Sequence, residues 1–280
     1  MKVMDGKIVK KAKLEDLKIK LKKLNKKLGL TVIQVGNDSA SDVYVEQKKK
    51  MTEELGYNFN HLKTAENISE EELLSIIDKL NEDSNVNGIF IQMPLPKTLN
   101  SHNVKNRINP YKDVDGLTDF NSGLLTHGKE CLVPCTPMGI MSLLNYYNVE
   151  VEGKTAVVVG RSDLVGKPMA SLLLNNNATV IMCHSKTKKL AQYTKMADIL
   201  IVAVGKVNFI TGDMVKENAV VIDVGINKVD GKLCGDVDFE NVSKKCSYIT
   251  PVPGGVGQMT VAELGENVYK AYQLVNENNK

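Results

Sequence analysis

Several things are missing from this chain, and each absence excludes a class of protein. Its five cysteines include no C-x-x-C pair, and the neighbours Cys183 and His184 lack the partners of a zinc site. No metal centre or disulfide framework is expected, and a reducing cytoplasm fits the cysteine usage. No apolar h-region opens the chain, and no run approaches the ~18 apolar residues of a membrane span, so neither a signal peptide nor a transmembrane helix is expected. Charge of one sign is also lacking. Lys and Arg number 36 against 33 Asp and Glu, a formal net charge of +3, which makes no case for a nucleic-acid or membrane partner. The lysines that cluster from Lys7 to Lys27 are threaded by Leu14, Leu17, Leu21, Leu24 and Leu28 at helical spacing, the pattern of an amphipathic surface helix.

What is present is organised around Thr155 to Leu174. Thr155 to Val159 are β-branched or small and apolar without alternation, as in a strand buried on both faces of a parallel sheet. A turn follows at Gly160. Pro168 then stands where a first helical turn tolerates it, and Met169, Leu172 and Leu173 recur at helical spacing. Strand, turn and helix in that order place a helix N-terminus, with unpaired N–H groups, at the carboxyl end of a strand, where a dinucleotide phosphate can sit. The G-x-G-x-x-G fingerprint is imperfect: after Gly160 come Ser162 and Val165, with Gly166 one place late. A second apolar strand, Ala178 to Cys183, runs into His184-Ser185-Lys186 and carries no Asp or Glu for a ribose hydroxyl. Arg161, Ser185 and Lys186 suit a 2′-phosphate instead, so NADP is expected over NAD.

Taken in order, Leu30 to Val35 reads as a strand, and a helix follows whose inward stripe is expected to be Ala40, Val43, Tyr44, Gln47, Met51 and Leu55, closed by Gly56. Tyr44 and Lys48 are four apart and so share a face. Tyr57 to Leu62 is a second strand, Ser69 and Glu72 form a capping box, and the third strand, Gly88 to Met93, is stopped by Pro94 with Gln92 at its end. In Pro110 to Gly116 an extended backbone turns one of Asp113 and Asp115 toward a cleft and the other toward solvent. The loop lacks the further oxygen ligands of a calcium site. Thr136 is expected to cap a helix with Pro137 at its first position. Ile199 to Val204, Val220 to Val224 and Tyr248 to Ile249 complete a five-stranded doubly wound sheet. A Gly- and Pro-rich stretch, 250–257, leads to a last helix from Val261 to Leu274. The expected class is therefore α/β, with two α/β domains flanking a cleft, the second a Rossmann-like parallel sheet. The boundaries are 1–138, completed by the helix 260–280, and 139–259.

Seven ordered blocks carry a resemblance: VGNDSASDVYVEQKKK at 35–50, QMPLP at 92–96, PYKDVDG at 110–116, PCTPMGI at 134–140, VVGRSDLVGKP at 158–168, VIDVGIN at 221–227 and PVPGGVGQMT at 251–260. Together they resemble the bifunctional methylenetetrahydrofolate dehydrogenase/cyclohydrolase family, FolD, over nearly the whole chain. Departures are Met93, Val207 and Gln258, the last two standing where the family commonly has Pro. The resemblance implies NADP-dependent oxidation of 5,10-methylenetetrahydrofolate followed by hydrolysis to 10-formyltetrahydrofolate, in a cytoplasmic homodimer. It implies Lys48 as catalytic lysine with Gln92 beside it, Asp115 as anchor of the pterin, Tyr44 stacked on the folate, and Pro253 and Gly254 at the substrate. Gly160, Arg161, Ser162, Val165, Gly166, Ser185 and Ile226 are implied at the cofactor, and Cys135 as structural. A monofunctional dehydrogenase, a shikimate-type dehydrogenase using a Lys and Asp pair, and a non-enzymatic NADP sensor are the rivals.

Overall fold

The computed structural model describes residues 1–278, apart from the side chains at 39, 40, 277 and 278. The chain divides into two compact units, one of Met1–Ala12 with Thr136–Thr260, the other of Lys13–Cys135 with Val261–Lys280.

The second of these holds a three-stranded parallel sheet in the order Asn58–Thr64, Gly29–Val35, Gly88–Gln92. Its central strand is buried along its whole length. Leu30 and Val32 pack into one apolar cluster with Leu14, Leu17 and Leu28, while Ile33 and Val35 pack into another with Leu73 and Ile77. Alternate residues thus feed opposite faces, which is why the strand lacks a polar side. The helix Glu70–Glu82 starts with the expected capping box, the Ser69 hydroxyl accepting from the Glu72 N–H and the Glu72 carboxylate accepting from that of Ser69. The final helix, Met259–Asn278, contributes Ala262, Leu264, Val268, Ala271 and Leu274 to the first cluster.

The other unit is built on a six-stranded parallel sheet in the order Lys2–Val3, Tyr248–Ile249, Val220–Asp223, Ile199–Val202, Thr155–Val159, Thr179–Cys183. Five of the strands are those expected from the sequence. The sixth is the N-terminal pair, which moves Met1–Ala12 out of the domain that the sequence boundary at 138 would give them. Two exposed residues carry no strand periodicity, and only their pairing with Tyr248 and Ile249 reveals them. A hairpin of Asn227–Val229 and Lys232–Cys234 was also not expected. Its signal was the Asp230-Gly231 pair, both at positive φ as a two-residue hairpin turn requires. Counting from Thr155–Val159, the order runs second, first, third, fourth, fifth, so the winding direction reverses between Thr155–Val159 and Ile199–Val202. Ligands bind outside the carboxyl ends of strands at such a reversal.

Candidate active site

In the unit with the three-stranded sheet, the helix Ser39–Leu55 begins where the Asp38 carboxylate accepts the Ser41 N–H at 2.8 Å and ends at Gly56, φ +74°. Its buried face is Ser41, Val45, Lys48, Met51, Thr52 and Leu55. This corrects the expected stripe: Val43, Tyr44 and Gln47 are exposed, and the Ala40 side chain lies outside the described residues. The helix is rotated so that Lys48 faces inward with Val45, while Val43 and Tyr44 face out. Lys48 is 8% exposed, whereas Lys49 and Lys50 are in solvent.

The Lys48 Nζ donates to Gln92 Oε1 at 2.9 Å and lies 4.3 Å from the Phe90 ring centroid. Gln92 is oriented by its own Nε2, which donates to the Met93 carbonyl at 2.8 Å. Burial pushes the Lys48 ammonium below its ordinary pKa, against the opposing charges of Asp115 and Cys135. Asp115 moves the other way: burial, reinforced by the charge of Asp113, lifts it to about 7, against Lys48 and Lys105. Two groups that would be fully charged in water are thus both drawn toward neutrality.

Asp115 is half-buried; Asp113 does not face solvent as one of the pair was expected to. It is 2% exposed and accepts from the Thr118 N–H at 2.8 Å and Asn121 Nδ2 at 3.0 Å, which gives it a structural task. The residue between them, Val114, has its carbonyl held by Asn267 Nδ2 at 2.9 Å and by the Cys135 thiol at 3.6 Å. Asn267 was not singled out from the sequence, because one Asn in an amphipathic helix carries no signal of what its amide reaches. Tyr44, one helical turn before Lys48, is 52% exposed. The helix containing Thr136 starts at Cys135, so Thr136 lies inside it rather than capping it.

In the unit with the six-stranded sheet, a cavity of about 260 Å³ opens at the reversal point, lined by Gly160, Arg161, Ser185, Lys206 and Phe209 among others. Gly160 has φ +132°, and a Cβ there would collide with the Ala203 carbonyl, so no other residue fits. Gly166 serves close packing of helix on strand end, since a Cβ would collide with the Gly160 carbonyl. Arg161 is exposed and has no carboxylate partner among the described residues. Ser185 follows the strand Thr179–Cys183 and is also part of the lining.

The expectation of free N–H groups on the following helix, Gly166–Asn175, needs correction. Ser162 Oγ accepts from Val165 N–H at 3.2 Å and Gly166 N–H at 3.4 Å, and the Ser162 carbonyl accepts from Lys167 N–H at 3.0 Å. Ser162, Val165 and Gly166 shape the turn; the cavity lining does not include them, nor Ile226, which is exposed beside Gly257. Lys206 and Phe209 were missed by the sequence reading. They follow a buried strand in a turn-rich stretch that carries no motif of its own. Pro253 is exposed, and Gly254, at φ +113°, accepts the Gly6 N–H on its carbonyl at 2.8 Å. Among the described residues no group of three or more His, Cys, Asp or Glu is placed to hold a metal ion, and no helix is long and apolar enough to cross a membrane.

A lysine buried beside a glutamine and a carboxylate in one unit, and a basic cavity at the sheet reversal in the other, coincide with two family profiles. Residues 4–115 match the tetrahydrofolate dehydrogenase/cyclohydrolase catalytic domain, and residues 134–276 match the NAD(P)-binding domain of the same enzymes. The chain belongs to this family. The bifunctional protein FolD of Bacillus subtilis is 50% identical over 273 residues, covering 96% of each chain. Among solved structures, the bifunctional FolD methylenetetrahydrofolate dehydrogenase/cyclohydrolase of Campylobacter jejuni superposes with TM-score 0.95 at 49% identity, covering 98% of this chain and 99% of that one. The Trypanosoma brucei FolD, described in complex with NADP cofactor and an inhibitor, superposes with TM-score 0.91 at 35% identity over 98% and 97% of the two chains. Membership of the FolD family removes the shikimate-type reading.

Proposed function

We propose that this chain is a bifunctional FolD enzyme, which oxidises 5,10-methylenetetrahydrofolate with NADP+ and hydrolyses the resulting methenyl cation to 10-formyltetrahydrofolate. The observation that carries the reading is the buried Lys48 amine, held by Gln92 and coupled electrostatically to Asp115. The cavity residues fit NADP+: an unpartnered Arg161 and Lys206 supply positive charge, Ser185 a hydroxyl, and Gly160 close backbone approach, with no carboxylate in the lining to repel a 2′-phosphate. When bound there, the nicotinamide supplies the hydride acceptor for the first step.

The chain's own chemistry belongs to the second step. Ring opening needs a proton taken from the attacking water and one delivered to the departing nitrogen. A free lysine, with a pKa of ~10.4, is a poor acceptor near neutrality, and general acid/base work favours ~7–8. Burial moves Lys48 in that direction. In this reading the neutral amine accepts the water proton, Gln92 Oε1 holds the ammonium so formed, and the same nitrogen returns the proton to the folate. Asp115, when ionised, accepts N–H donors of the pterin, and the exposed face of Tyr44 offers a flat apolar surface to the ring system. Ser162, Val165 and Gly166 act by shaping the dinucleotide turn. For Pro253 and Gly254 at the substrate and Ile226 at the cofactor, the reading rests on the family resemblance alone.

The test is to supply methylenetetrahydrofolate with NADP+ and follow NADPH and methenyl-folate absorbance together, then to assay methenyl-folate hydrolysis alone. Equal use of NAD+ would overturn the cofactor assignment. NADPH formation without any hydrolysis would leave a monofunctional dehydrogenase. The resemblance also leads us to propose a cytoplasmic homodimer, which sedimentation equilibrium tests for subunit number and fractionation for compartment.

A further inference from the structure

Asp236 has no exposed surface, yet it is an ionisable residue outside the roles assigned above. Its Oδ2 accepts from the N–H groups of Val204 at 2.7 Å and Gly205 at 2.9 Å, and its Oδ1 from Lys206 N–H at 2.8 Å and Asn227 Nδ2 at 2.9 Å. Three of the four donors are consecutive backbone groups, a concavity of the kind that binds phosphate in other proteins. Here the chain's own carboxylate fills it. Asp236 is anchored in turn: Asp223 Oδ1 accepts the Asp236 N–H at 2.9 Å and that of Gly225 at 3.1 Å, and its Oδ2 accepts the Val237 N–H at 3.0 Å. Gly225 leaves room for the arrangement, because a Cβ there would collide with the Asp236 carboxylate.

The segment held this way is one wall of the basic cavity. Val204 and Lys206 line it, as does Phe209, whose ring centroid lies 5.5 Å from the Lys206 Nζ. We infer that Asp236 is a positioning residue of the nucleotide site, fixing Val204–Lys206 as a wall and presenting Lys206 as a second cation of the lining that Arg161 shares. The inference rests on the reading of this cavity as the NADP site. Without the carboxylate, three adjacent N–H groups lose their acceptor and must turn toward water, which takes the wall apart.

Asp236→Asn is nearly isosteric but places an NH2 group among those donors. NADP+ affinity, measured calorimetrically, is expected to fall about tenfold or more, as for a lost set of charge-assisted hydrogen bonds. Amide hydrogen exchange of Val204, Gly205 and Lys206 in the cofactor-free protein should accelerate, while methenyl-folate hydrolysis without NADP+ stays within about twofold, since sites with no shared partners behave independently. Unchanged affinity overturns the inference, and so does a parallel loss of NADP+ binding and hydrolysis, which would mark Asp236 as a fold residue only. If Asp236→Asn does not fold, Asn227→Leu decides: it removes one donor from Oδ1 at a half-buried position of a largely exposed hairpin, and weaker NADP+ binding with intact hydrolysis supports the inference, while unchanged binding overturns it. Failure of the wild-type protein to bind NADP+ would refute the cofactor reading instead.

Discussion

Lys48 and Asp115 are moved from opposite ends of the pH scale toward the middle by burial. Replacement of Lys48 by Met keeps most of the apolar stem and removes the amine. Hydrolysis of methenyl-folate is expected to fall ~10²–10⁴-fold, as for a lost general acid/base, with a smaller loss in NADPH formation through misplaced substrate. Hydrolysis at wild-type rate in a folded, NADP-binding variant would make Lys48 an ordinary buried stem. Asp115 gives a second expectation, with its sign fixed by linkage. Its pKa rises from 3.8 to about 7 on folding, so between those values the native protein holds a proton that the unfolded chain has released. That contribution is fully present below about pH 4 and is lost as pH rises through about 7. Asp115→Asn should therefore flatten the fall in stability from pH 5 to pH 8, gaining on the order of 1 kcal/mol at the alkaline end after allowance for its partial exposure. Urea unfolding at the two pH values measures it; an unchanged slope would mean that another group titrates.

At the scale of elements, the sequence was most legible where burial follows the apolar pattern and least legible in the helix that carries Lys48. The strands Thr155–Val159 and Tyr248–Ile249 lie where the apolar runs put them. In Ser39–Leu55 the apolar residues Val43 and Tyr44 face water and a lysine faces in, so counting apolar positions rotates the helix by most of a quarter turn. Patterns fail in this way where a site needs a charged group inside and a ring outside. Asn267 and Asp236 were unreadable for another reason: their tasks depend on backbone groups far away in sequence, which no local window contains. The turn after Thr155–Val159 supplies the prediction at this scale. Gly160→Ala adds a Cβ against the Ala203 carbonyl at a φ that costs about 1–3 kcal/mol. NADP+ binding and NADPH formation should drop by about tenfold or more while methenyl-folate hydrolysis is kept. Calorimetry and the two assays check it, and a variant with normal NADP+ affinity would show that the turn is not where the dinucleotide approaches.

For the whole molecule, the first residues matter more than an N-terminal tail usually does. Met4 is fully buried in one apolar cluster with Ile140, Leu143 and Val158, next to a two-residue strand that extends the six-stranded sheet. Met4→Ala should cost about 2–4 kcal/mol. The loss should appear as faster amide exchange at Val158 and Ile222, with the strand Gly29–Val35 keeping its protection; equal loosening of both sheets would mean that the units do not hold their stability separately. The interleaving of the units also sets a timetable. Lys2 and Val3 leave the ribosome long before their strand partners Tyr248 and Ile249. The other unit waits for Val268 and Ala271 to fill its core. Neither can finish until those later segments have emerged, so the strands made earlier must stay uncommitted until then, in the company of chaperones or of the solubilising lysines around them.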